Sequence, residues 1–156
     1  MSELDKIIEE AWRNHDNPEV MLAKFKEVFN DYKNNAVFLF EYANALDFLG
    51  KEDEAVPLYR RALAMGLSGE IKTQAEIQLG SSLSIIGEDS SAVEILDRVY
   101  RETNDPAALA FLCIALYRSG EIKKALKTAL GFIISSEQGL LPEYKRVLSQ
   151  YLNEVT

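Results

Sequence analysis

The chain is poor in the residues from which most reactive sites are built: 156 residues include one cysteine, Cys113, and one histidine, His15. A single cysteine excludes an intrachain disulfide and fits a reducing compartment. One histidine and one cysteine cannot assemble the usual zinc sites, so no metal is expected. Proline and glycine are also scarce, at four and eight residues. They are read as punctuation between apolar periodic segments, which favours helices joined by short turns. Long apolar runs are missing too. The longest, Ala107 to Tyr117, spans 11 residues and is too short to cross a bilayer. The opening Met-Ser-Glu-Leu-Asp-Lys is charged from the start and lacks the apolar centre of a signal peptide, so a cytoplasmic location is expected.

What is present is an ordinary globular composition, 47% apolar and 27% charged, with a net charge of −8. A field of that sign repels phosphate backbones and anionic lipid, so neither nucleic acid nor membrane is expected as a partner. The charge is uneven. Residues 106–156 carry six basic and four acidic groups, whereas residues 36–105 carry six basic and thirteen acidic. The basic cluster Lys123, Lys124 and Lys127 lacks interleaved aromatic residues and reads as a solvated helix face.

Three short patterns recur along the chain. Gly50-Lys-Glu-Asp-Glu-Ala55, Gly87-Glu-Asp-Ser-Ser-Ala92 and Gly120-Glu-Ile-Lys-Lys-Ala125 each give a glycine, four mostly polar residues and an alanine, at intervals of 37 and 33 residues. The glycine ends one helix, the polar residues start the next, and the small alanine marks a close helix crossing. Ahead of each glycine come Tyr42-Ala43-x-x-Leu46, Leu79-Gly80-x-x-Leu83 and Leu112-Cys113-x-x-Leu116. Behind each alanine come Tyr59 and Ala62, Leu96 and Val99, Ala129 and Phe132, spaced to share one buried stripe.

These elements resemble the tetratricopeptide repeat (TPR) family, whose unit carries Leu-Gly-x-x-Tyr on its first helix and opens its second at Gly-x-x-x-x-Ala. Leu79-Gly80 matches literally, and all three Gly-x-x-x-x-Ala elements match. The departures are the missing tryptophan of the first helices, leucine in place of tyrosine, and a mostly absent closing proline. Pro106 instead opens a helix, where a missing N–H costs nothing. The resemblance implies an all-α fold: a right-handed superhelical array of antiparallel helix pairs, a TPR-like α-solenoid, with a C-terminal capping helix.

The register divides residues 1–156, read as one domain, into a degenerate repeat at 2–35, repeats at 36–72, 73–105 and 106–139, and a capping helix within 140–156. Nine helices are expected, at 2–15, 18–33, 36–49, 52–66, 69–86, 89–103, 106–119, 121–135 and 142–153. Asn17 is the expected N-cap before Pro18. Leu141-Pro142-Glu143 opens the last helix, whose stripe Tyr144, Val147, Leu148 and Tyr151 would close the stack.

In the resembled family the first helices line a concave groove, and the resemblance implies a protein–protein interaction module, expected to act as an adaptor or scaffold for a protein or peptide segment. The groove positions expected here are Phe40, Glu41, Asn44 and Phe48 from the first full unit. The next unit adds Ile77, Gln78 and Ser81, with Gln74 and Ile85 beside them. The last adds Phe111, Ile114, Tyr117 and Arg118, with Ala107 beside them. Lys6, Glu10 and Arg13 would form one rim. The segment Phe38 to Leu49 is apolar around nearly its whole circumference, which calls for cover on both sides. An apolar peptide, neighbouring helices, or a homodimer seam on the same surface would each supply it. Central positions holding Glu41, Gln74 and Gln78 do not suit an acidic chain terminus.

Signs of an enzyme are few, and no cofactor is expected. His15 precedes Asp16-Asn17-Pro18 at a helix end, where a cation suits the dipole. Cys113 takes the small buried position of its repeat. Gly80-Ser81-Ser82 lies inside a helical pattern and lacks the lysine of a phosphate loop. The clusters Glu52-Asp53-Glu54 and Glu88-Asp89 fall at helix starts, where acidic groups are stabilised by roughly 0.3–1 kcal/mol each.

Overall fold

The structure, a computed structural model, describes residues 1–136 and 142–154. Their regular structure is entirely helical: α1 (Glu3–Trp12), α2 (Pro18–Tyr32), α3 (Ala36–Phe48), α4 (Glu52–Ala64), α5 (Gly69–Ile85), α6 (Asp89–Thr103), α7 (Pro106–Arg118), α8 (Ile122–Ser135) and α9 (Pro142–Glu154). Side chains set several of the starts. Ser2 and Asp5 form a reciprocal capping box on α1, and the Asn35 oxygen accepts from the Phe38 N–H at 3.0 Å. Asp105 accepts from the N–H groups of Ala107 and Ala108 and so opens α7 ahead of Pro106. Gly87 and Gly120 carry φ of +84° and +85°, the left-handed geometry that ends α5 and α7 and turns the chain back.

Two expectations about the elements need correction. The first helix stops at Trp12 rather than reaching residue 15, because Asn14 and His15 close short turns onto Ala11 and Trp12. Asn17 must then leave helical geometry to cap α2, accepting from the Val20 N–H. Proline is not confined to the joints either: Pro57 lies inside α4. It removes one N–H from the ladder, and the helix persists because Ala55, Val56, Tyr59 and Ala62 around it are buried.

Consecutive helices pack as antiparallel neighbours. Beyond that, α1 touches α3, α3 touches α5 and α5 touches α7. Among the described residues no even-numbered helix packs on another even-numbered helix. The odd helices therefore form a close inner row and the even helices a splayed outer row, which curves the array with its concave side toward the odd helices. The core runs between the rows. Ala55 and Ala92 are fully buried, and a Cβ on Gly80 would stand 2.5 Å from Cγ of Leu96. These small residues are what let the rows approach.

The last helix departs from the pattern. Among the described residues α9 packs on α8 but not on α7. Its half-buried face is Lys145, Leu148, Ser149 and Leu152, while Tyr144, Val147 and Tyr151 remain exposed. The stripe expected to close the stack is thus mostly turned outward. Leu141 and the boundaries at 139 and 140 lie outside the described residues.

Candidate functional site: the concave face of the inner row

At the α1–α3 end the concave face is closed by the chain itself. Phe40, a groove position by register, is only 3% exposed and packs against Tyr59, with ring centroids 6.2 Å apart. It belongs to the core. The same holds for most of α3: Phe38, Leu39, Tyr42, Ala43, Ala45 and Leu46 are also buried, so neighbouring helices supply the cover that its all-round apolarity demands. Glu41 accepts a hydrogen bond from Trp12 Nε1 at 2.9 Å, which ties α1 to α3. Phe48 is exposed, with its ring edge-on to Trp12 at 6.1 Å. Asn44 accepts from the Tyr59 hydroxyl at 2.8 Å, so its oxygen is already occupied.

A second polar link sits beside that pair. The Ser82 hydroxyl donates to Asp47 at 2.9 Å, joining α5 to α3. Burial pushes the Asp47 carboxyl above its ordinary range, and the Ser82 hydrogen bond offsets this only in part. The Tyr59 phenol is raised as well, by burial first and by the nearby Asp47 carboxylate second, and stays neutral. Neither pairing was read from the sequence. The partners lie 15 and 35 residues apart, and no periodicity within one helix announces such contacts.

Between α5 and α7 the concave face is open. One cleft of about 130 Å³ is lined by Ser81, Ser84, Ile85, Phe111, Ile114 and Arg118. Another, of about 240 Å³, is lined by Gln74, Ile77, Gln78, Asp105, Ala107 and Phe111. Phe111 is shared by both and forms the ridge between them. Ile77 forms part of the floor but is 7% exposed, packed with Val99 and Ala108. Among the described residues Gln74, Gln78 and Ser81 have no side-chain hydrogen-bond partner. Arg118 reaches Ser84 Oγ at 3.5 Å and forms no ion pair with a described residue. Tyr117, expected in the lining, lies on α7 away from both clefts and is 64% exposed. Ser84 lines the site without having been foreseen.

Elsewhere the chemistry is sparse. His15 sits at the end of α1 with Nδ1 3.0 Å from the Trp12 carbonyl. Cys113 is half-buried, and desolvation raises its thiol above the ordinary value. Among the described residues no group of three or more His, Cys, Asp or Glu is placed to hold a metal. No described helix is long and apolar enough to cross a membrane.

Stacked antiparallel pairs with an inner row that lines an open face define a helical-repeat array. The Tetratrico peptide repeat family model matches residues 36–155, and the chain belongs to the tetratricopeptide repeat family. Members of this family generally serve as protein–protein interaction modules. Among solved structures the chain is similar to the nearly identical TPR-like repeats of a putative kinesin light chain from Podosopora anserina. One structure gives a TM-score of 0.73 at 19% identity, covering 97% of this chain and 90% of that one. A substituted form of the same repeats gives 0.73 at 17% identity, with 97% and 93% covered. At such identity the likeness is one of fold. No curated protein matches.

Proposed function

We propose that the protein is a non-catalytic adaptor or scaffold that holds a segment of another protein between α5 and α7, across the Phe111 ridge. The observation that carries this reading is the pair of clefts on either side of Phe111, with an apolar floor and unengaged groups along the edges. Side chains at alternate positions of an extended segment would drop into the two clefts. The Gln74 and Gln78 amides and the Ser81 hydroxyl can then bond its backbone, since each amide offers two donors and an acceptor. The α1–α3 end contributes less, because Trp12 Nε1 is already bonded to Glu41 and the Tyr59 hydroxyl to Asn44.

The test is a selection of displayed random peptides on the wild-type chain, followed by anisotropy titration of the enriched peptides. Ser81→Trp fills one cleft and Gln78→Lys alters the other, and both should weaken binding by about tenfold or more. Enriched peptides that bind both variants as well as wild type would overturn the reading.

Self-association through this same lining makes a different prediction. In that case the two substitutions would dissociate a dimer seen by light scattering, and no peptide would be enriched.

A further inference from the structure

An outward apolar stripe on α9 and an open cleft between α7 and α8 lie at the same end of the array. The cleft, about 220 Å³, lies between α7 and α8 and is lined by Pro106, Leu109, Ala110, Cys113, Ala129, Phe132 and Ile133. One repeat earlier, at the 33-residue interval from Gly87 to Gly120, Ala110, Phe132 and Ile133 correspond to Ile77, Val99 and Tyr100. Those three are covered there by Ala108 and Phe111 of the following first helix. The open cleft is therefore a stacking seat that no described residue fills.

The residues suited to fill it are on α9. Leu148-Ser149-x-x-Leu152 repeats the pattern of Leu112-Cys113-x-x-Leu116, and the half-buried face of α9 agrees with that register. In this register Ala108, Phe111 and Ala115 correspond to Tyr144, Val147 and Tyr151. The first three are buried or half-buried against the preceding unit, whereas Tyr144 and Tyr151 are 58% and 57% exposed. Every earlier first helix packs on its predecessor, and among the described residues α9 alone does not.

We infer that the C-terminal end is a homodimer interface, in which the Tyr144–Val147–Tyr151 stripe of each chain fills the α7–α8 seat of a second copy. Stripe and seat lie at the same end of one chain, so a two-fold axis satisfies both reciprocally and the association closes. The contact continues the stacking interface already made between the inner helices of this chain. A head-to-tail arrangement finds no match, because among the described residues the exposed large apolar side chains at the α1–α2 end are Met1 and Val20 alone. The inference is independent of the peptide groove, since the seat lies between α7 and α8 and shares no lining residue with the α5–α7 clefts.

Sedimentation equilibrium over about two decades of concentration tests it. The expected result is a concentration-dependent mass approaching twice the 17.6 kDa of the chain. Tyr144→Ser/Tyr151→Ser should raise the dimer Kd by about tenfold or more at unchanged helical circular dichroism, and Ser81→Trp should leave it alone. In a second measurement, a Tyr144→Cys variant is oxidised with diamide to link its new thiol to Cys113. A covalent dimer on a non-reducing gel supports exchange between copies. A monomeric mass at every concentration, a dimer indifferent to the two tyrosines, or a disulfide formed only within one chain would each overturn it.

Discussion

Gly80 and Gly131 both lie inside helices, in α5 and α8, yet alanine should act on them in opposite directions. A Cβ at Gly80 would meet Leu96 Cγ at 2.5 Å, and Leu96 is fully buried with nowhere to move. Gly80→Ala should cost about 1–3 kcal/mol by thermal melt. A Cβ at Gly131 meets nothing within 4 Å, so Gly131→Ala should stabilise by about 0.5–1 kcal/mol through reduced freedom of the unfolded chain. Asp47 gives a pH-dependent case. Its carboxyl is raised in the fold, chiefly by burial, so the unfolded chain releases that proton first as pH rises. Stability is therefore lost through the carboxylate range and the penalty then stays constant toward neutrality. Asp47→Asn keeps an oxygen for the Ser82 hydroxyl and lacks the charge. It should raise Tm at neutral pH, with the gain vanishing near about pH 3.

At the scale of the element, α4 carries its own defect. Pro57 is exposed and removes a ladder bond, so Pro57→Ala should stabilise, by up to about 3 kcal/mol. The repeat alanines make the complementary prediction. Ala55→Leu and Ala92→Leu should each cost about 1–3 kcal/mol, and Ala125→Leu less, because Ala125 borders the less enclosed C-terminal end. Thermal melts of the three variants check this order. The starts of α2 and α7 were legible because Asn17 and Pro106 act within one turn of chain. The burial of α4 and α6 was legible because Ala55, Tyr59 and Ala62, and likewise Ala92, Leu96 and Val99, keep a single helical spacing. In α8 the same spacing leaves Ala129 half-buried and Phe132 exposed, because α7 and α8 leave a cleft there that no described residue fills. What the sequence could not show was which apolar side of α3 faced outward. Phe40 and Phe48 lie on the same helix, and only Tyr59, from the next one, decides that Phe40 is buried. The same reason hid the true face of α9, where Tyr144 and Leu148 both look apolar and the packing on α8 takes Leu148.

At the scale of the whole molecule, stability is a sum of pairs and of contacts between neighbours. Helices α3 to α6 have partners on both sides in the stack, while α9 rests on α8 alone among the described residues. Amide exchange should accordingly be slowest in α3–α6 and fastest in α9, and uniform protection along the chain would contradict this picture.

The splayed outer row also sets the mechanics of the molecule. Inner helices from α1 to α7 are held to one another, and the described outer helices have no lateral neighbour of their own kind. A bend that opens or tightens the curve therefore pivots about the inner seams and is borne by the packing of α4 on α5 and of α6 on α7, not by any contact between outer helices. A stack so built is expected to flex like a leaf spring with its stiff side inward, changing its curvature without unfolding a single helix.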